Sequence, residues 1–318
     1  VKREKYKKYI WPLIGVIAMI FSLRILYHKL THISVADIMA RLNDLSIQHW
    51  LLACFFSILA YAALAGYDRI ALKHLGKKIS WLFITLCSFT TYALSHNIGA
   101  SVFSGAVVRY RAYSTKGLEG SEIAVLVGLC SFTFALGTIL LSGFVLVLSP
   151  QVTDLIYDGL PPWIARSSGL ILLAIIALYV FGSWLHFKPV TFGKFHLTYP
   201  RLNIVGQQLI IGPLELFSAA GIIYAVLPEA GNPGFIVVLG VFLASFSATL
   251  LSHAPAGGIG VLEALFIAGM PEMEEADVLA ALIVFRLLYL IVPLILSLFF
   301  VALFEVSQWL GRRSQHKL

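Results

Sequence analysis

Six stretches, residues 10–27, 50–67, 123–148, 163–185, 204–227 and 278–304, are nearly unbroken runs of apolar side chains. A helix rises 1.5 Å per residue, so about 20 such residues cross the ~30 Å of hydrocarbon in a bilayer. In hydrocarbon every backbone N–H and C=O must find its partner within the segment, which dictates helix. The expected fold is therefore an all-α polytopic membrane protein with six full spans. Composition points the same way: 59% of the 318 residues are hydrophobic and 12% charged, against about 25% charged in a soluble domain. One transmembrane domain, residues 1–318, accounts for the chain, and no soluble catalytic domain fits in what remains.

Two further apolar stretches, residues 81–108 and 235–270, are broken by glycine. SFTTYALSH, ending at His96, runs into NIGASVFSG, and SFSATLLSH, ending at His253, runs into APAGGIG. Loop charge decides how they fold. The segments VKREKYKKY, DRIALKHLGKK, RYRAYSTKG, HFKPVTFGKFHLTYPR and GRRSQHKL are basic, whereas SPQVTDLIYDGLPP, PEAGNP and PEMEEAD are acidic or poor in charge. The positive-inside rule puts the first set, and with it both termini, in the cytoplasm. The first broken stretch has basic flanks on both sides and the second has outer flanks on both sides. Each is expected to fold back as a re-entrant hairpin, breaking at Asn97, Gly99 and Gly105 in one and at Pro255, Gly257, Gly258 and Gly260 in the other. Three crossings per half make the halves, about 1–150 and 160–310, an inverted-topology repeat. Transporters of that design bind cargo where broken helices meet near the midplane. The alternative is dry packing in which glycine only lets helices approach.

Ionisable residues at membrane depth are candidates for function. Glu215 follows Pro213 in IIGPLELFS, and Arg286 lies deep in the last run. A Glu215–Arg286 ion pair is one reading of the two. Glu263 follows the second break, and Arg109 and Arg111 follow the first, where they either anchor the loop or meet phosphate. His96 and His253 either titrate or cap the hairpin turns through hydrogen bonds. Cys54, Cys87 and Cys130 stand singly in apolar runs, which implies neither a disulfide framework nor a zinc site. HExxH, Walker A and GxSxG are absent, and no metal, cofactor or enzymatic activity is expected. The basic start followed by an apolar run reads as an uncleaved signal anchor. Residues 35–45 read as an amphipathic helix at the outer interface.

LSHNIGASVFSGAVVRYRAYSTKGL and SHAPAGGIGVLEALF together resemble the two signature regions of the lysylphosphatidylglycerol synthase transmembrane-region family, over essentially the whole chain. The family includes the flippase half of the multiple peptide resistance factor and standalone inner-membrane proteins. Gly105 and Arg109 match the first motif. The second, Pro-Gly-Gly-hydrophobic-Gly-Val-x-Glu, is matched from Pro255 to Glu263 with Ala256 inserted. The resemblance implies the lipid-translocating half without the aminoacyl-transferase domain. The expected function is thus a bacterial inner-membrane flippase-like transporter for a phospholipid headgroup, with aminoacyl-phosphatidylglycerol the first candidate. Arg109 and Arg111 would attract phosphate, Glu215 and Glu263 would offset an ammonium, and Arg286 would hold Glu215 or touch phosphate. His96 and His253 complete this headgroup set. Expected partners are the phospholipid substrate, anionic lipids, a separate lipid-modifying synthase and a second copy of the chain; nucleic acid is not expected. The alternatives are transport of a hopanoid or polyprenyl-linked sugar, a membrane-embedded lipid-modifying transferase, and a small-solute or ion transporter.

Overall fold

The computed structural model describes residues 35–98, 101–155, 160–185, 190–192, 195–197, 199–252 and 260–315. The expected first span, together with Gly99, His253, Pro255, Gly257 and Gly258, lies outside the described residues. The helices are α1 (Val35–Asp44), α2 (Ile47–His74), α3 (Trp81–Ile98), α4 (Ser101–Ser114), α5 (Gly120–Leu148), α6 (Pro162–Trp184), α7 (Leu202–Tyr224), α8 (Phe235–Ser252), α9 (Val261–Ala268), α10 (Glu275–Phe285) and α11 (Val292–Gln315). A 3-10 turn covers Pro150–Leu155, and a two-stranded antiparallel ribbon, Val190–Phe192 with Phe195–Leu197, joins α6 to α7. That ribbon is a small departure from an all-α body.

Five helices among the described residues are long and apolar enough to cross a membrane: Ile47–His74, Gly120–Leu148, Pro162–Trp184, Leu202–Tyr224 and Glu275–Phe304. They coincide with five of the six expected runs, and the chain is a polytopic membrane protein. Helix starts follow local chemistry. Pro162 opens α6, where a missing N–H costs nothing. At α5 the Glu119 N–H donates to Glu122 Oε2 at 3.0 Å, and Lys77 pairs with the same carboxylate at 2.6 Å. On α1, Arg41 pairs with Glu274 and, at 3.3 Å, with Asp277, which ties this helix to the start of α10.

Lipid supplies little hydrophobic drive between helices, so small residues set the crossings. The centre of the body is the antiparallel pair α2 and α7. A Cβ on Gly66 would lie 2.8 Å from Ile211, and one on Gly221 would lie 2.7 Å from Phe56. The tightest crossing joins α5 to α7, where a Cβ on Gly137 would lie 2.5 Å from the carbonyl carbon of Gly212. Backbone meets backbone there, so only glycine fits.

The α3 and α4 helices form an antiparallel hairpin. Gly105 faces Thr91 and Ser95, Arg109 lies over the Tyr92 ring at 4.8 Å, and Tyr113 meets Phe83 edge-on at 5.9 Å. The α8 and α9 helices fold back likewise, with Gly269 against Val241.

The last span is not one continuous α-helix. Residues Arg286–Ile291 form a π-helical segment, with the Val292 N–H bonded to the Leu287 carbonyl. A helical N–H at position 293 would have served Tyr289 O in an α turn or Leu288 O in a π turn, and Pro293 has none. Other helices make good the loss. Ser57 Oγ donates to Leu288 O at 2.8 Å and Tyr61 Oη to Tyr289 O at 2.9 Å, both from α2. Asn97 Nδ2, at the end of α3, donates to Leu290 O at 3.1 Å. The three carbonyls at the break, of Leu288, Tyr289 and Leu290, are thereby satisfied.

Candidate functional site

Glu215 sits on α7 two residues beyond Pro213 and is 2% exposed. Its Oε1 accepts a hydrogen bond from the Tyr289 hydroxyl of the π segment. The Tyr67 hydroxyl, from α2, lies beside it and donates to Gly212 O at 3.2 Å. Glu215 Oε2 is buried and has no hydrogen-bond partner among the described residues. The Tyr289 ring stacks with His96 at 5.3 Å and with Phe285 at 5.1 Å, with interplanar angles of 19° and 18°. His96 Nδ1 likewise has no partner among the described residues. At that nitrogen His96 therefore packs and does not cap; Asn97 supplies the cap, through Ala93 O at 2.8 Å and through Leu290 O.

Arg286 does not pair with Glu215. Its Nε binds Glu263 Oε1, while its Nη2 is buried and unpartnered among the described residues. The local fold explains the choice. Gly260 has φ +88°, a backbone shape that glycine alone adopts without strain, and it turns the chain into α9. Glu263 then lies one turn into that helix, and its Oε2 accepts from the Gly260 N–H at 2.8 Å. Its other oxygen is aimed at the π segment.

Arg109 reaches a residue that the sequence reading missed. Its guanidinium holds Asp68 through Nη2 at 2.7 Å and Nε at 3.2 Å. Tyr113 Oη donates to Asp68 Oδ2 at 2.8 Å, and Cys130 Sγ lies 3.4 Å from Oδ1. Gly105 makes the room: a Cβ there would lie 2.9 Å from Ser95 Oγ and 3.2 Å from the Arg109 guanidinium. Arg109, 4% exposed, is thus spent on Asp68 and presents no open face to phosphate in this conformation. Arg111 is exposed on α4.

These groups connect. Arg109 lies over Tyr92, Tyr92 meets His96 at 5.7 Å, and His96 stacks on Tyr289, whose hydroxyl holds Glu215. The π segment carries both Tyr289 and Arg286. Of the expected residues, His96, Asn97, Gly105, Arg109, Glu215, Gly260, Glu263 and Arg286 thus belong to one buried polar seam. Asp68, Tyr67, Tyr113 and Tyr289 join it unforeseen. Asp68 did leave a signal. Four residues beyond Leu64 and three before Ala71, it shares the buried face of α2, although it opens what looks like a basic loop. Among the described residues no cluster of three or more His, Cys, Asp or Glu is placed to hold a metal.

A bundle of long apolar helices that buries charged side chains in its interior is that of a polytopic membrane protein. Comparison with known sequences is specific about the kind. The model of the lysylphosphatidylglycerol synthase TM region matches residues 12–297, and the chain belongs to that family. The inner membrane protein YbhN of Escherichia coli is 33% identical over 78% of this chain and 77% of its own length. "Uncharacterized protein slr0712" of Synechocystis is 26% identical over 98% of this chain and 97% of its own. The phosphatidylglycerol lysyltransferase of Staphylococcus haemolyticus is 24% identical over 92% of this chain, which spans 33% of that larger protein.

Proposed function

We propose that the protein is an inner-membrane, flippase-like lipid transporter that passes a phospholipid headgroup carrying both phosphate and ammonium through the polar seam. One observation carries the reading. Two ionisable side chains, part-buried Arg286 and buried Glu215, each keep a buried atom unpartnered among the described residues: Arg286 Nη2, a donor suited to phosphate, and Glu215 Oε2, an acceptor suited to ammonium once the carboxyl is ionised. Both adjoin the same π segment, through Arg286 itself and through Tyr289. Arg109 and Glu263 serve by fixing the frame, and exposed Arg111 draws phosphate toward the entrance. Aminoacyl-phosphatidylglycerol fits this chemistry, and two staphylococcal relatives are named for its synthesis.

The two hairpins enter the bilayer from opposite faces, in the two halves of an inverted repeat, and both termini are cytoplasmic. Length supports this: α4 has 14 residues and α9 has 8, about 21 Å and 12 Å, short of a crossing. Basic segments flank the first hairpin on both sides and charge-poor or acidic ones flank the second.

The test is headgroup translocation in proteoliposomes of purified protein. Lysyl-phosphatidylglycerol and phosphatidylethanolamine should move faster than phosphatidylglycerol. Glu215→Gln should slow the ammonium lipids about tenfold or more, the equivalent of losing ~1.4 kcal/mol or more of headgroup stabilisation. Equal rates with and without protein for all three lipids would end the proposal.

A further inference from the structure

The buried charges do not balance. Among the described residues, three carboxylates lie buried in the helical body, those of Asp68, Glu215 and Glu263, and two arginines reach them. Arg109 takes Asp68 and Arg286 takes Glu263. Glu215 is left among neutral groups. The π segment gives it the Tyr289 hydroxyl, and α2 gives it Tyr67 and Tyr61. From α5 come Cys130, which faces Asp68, and Thr133, bonded to Gln208. Tyr179 of α6 is engaged by the same Gln208. Helix α8 has no titratable side chain, and on α10 Asp277 faces Arg41. His96 meets the seam through the Tyr289 ring. A bare carboxylate in such a place costs far more than a neutral carboxyl with one hydrogen bond unmade. The neutral form puts its proton on Oε2, the oxygen without a hydrogen-bond partner among the described residues.

We propose that Glu215 is a proton-binding site whose proton is exchanged for the ammonium of a lipid headgroup, so that transport runs as an antiport with protons; this rests on the headgroup reading above. When the site opens to one face, the Oε2–H bond breaks and the proton passes to water. The ammonium then replaces it as the counter-charge of the carboxylate. One positive charge enters for each that leaves, so the site is never a bare anion in hydrocarbon. Tyr289 holds Oε1 in both states.

Infrared spectroscopy of the reconstituted full chain at neutral pH tests the proton directly, whether or not any lipid moves. The wild type should show a protonated-carboxyl C=O band that Glu215→Gln removes, Glu215→Asp shifts, Tyr289→Phe shifts and Glu263→Gln leaves in place. Adding short-chain phosphatidylethanolamine should erase the band and release about one proton per site to a pH dye. Phosphatidylglycerol of equal chain length should do neither. A spectrum unchanged in both Glu215 variants, or a band that persists through ammonium-lipid binding, overturns the proposal. The band with its release, but no translocation of any lipid, would instead strike the transport reading and leave the proton site standing.

Discussion

Asp68 and Arg109 make the tightest commitment at the scale of single residues. Both are buried, they share three hydrogen bonds, with Nε reaching both oxygens, and Tyr113 takes up a remaining lone pair of the carboxylate. Removing one member strands the other charge, which costs about 3–5 kcal/mol. Asp68→Ala and Arg109→Ala should each lower the thermal midpoint of the detergent-solubilised protein sharply. The double variant should be less destabilised than the sum of the two, and strict additivity would show that the charges do not couple. Sequence reasoning found Arg109, because it follows a glycine break, and assigned it to phosphate. It missed Asp68, because DRIALKHLGKK reads as a loop once apolarity ends near Tyr67. The helix in fact runs seven residues past Tyr67, to His74. Which arginine meets which carboxylate was not legible either. Glu215 and Arg286 look matched in depth along the chain, but the turn at Gly260 swings Glu263 to Arg286 first, and that turn is tertiary geometry.

At the scale of elements, the breaks were legible and their repair was not. Glycine and proline mark where a helix can stop, but nothing in VFRLLYLIVP announces that six residues will wind as a π turn. Its carbonyls depend on Ser57, Tyr61 and Asn97, which stand more than 190 positions away in sequence. Tyr61→Phe keeps the ring and removes the donor, leaving Tyr289 O unserved at a cost of about 1–3 kcal/mol. We expect lower stability and faster amide exchange around residue 294 in hydrogen-exchange mass spectrometry, and wild-type exchange there would refute the capping role. The crossing of α5 and α7 is stricter. Gly137→Leu would drive side-chain atoms into the Gly212 backbone and should abolish the folded, monodisperse protein in size-exclusion chromatography, whereas Gly128→Leu, where a Cβ meets nothing within 4 Å, should be accepted.

At the scale of the molecule, the proposed orientation rests on charge in the loops, and the proposed plan on the two hairpins. Cysteine labelling in intact cells should find a probe at Ser114 shielded until the inner membrane is permeabilised, and one at Glu272 labelled from outside. The opposite result at Ser114 would turn the first hairpin into a crossing. The π turn has a further consequence for this plan. It is what one surplus residue looks like after a helix has absorbed it. Deleting Leu287 should therefore let α10 and α11 rejoin as an ordinary helix with each still facing its neighbours. If the turn instead relaxed in place, everything beyond it would rotate by about 100° and shift about 1.5 Å along the axis. Helix α11, which packs on α3, would then carry that rotation to the first hairpin, from a segment that sits beside the second.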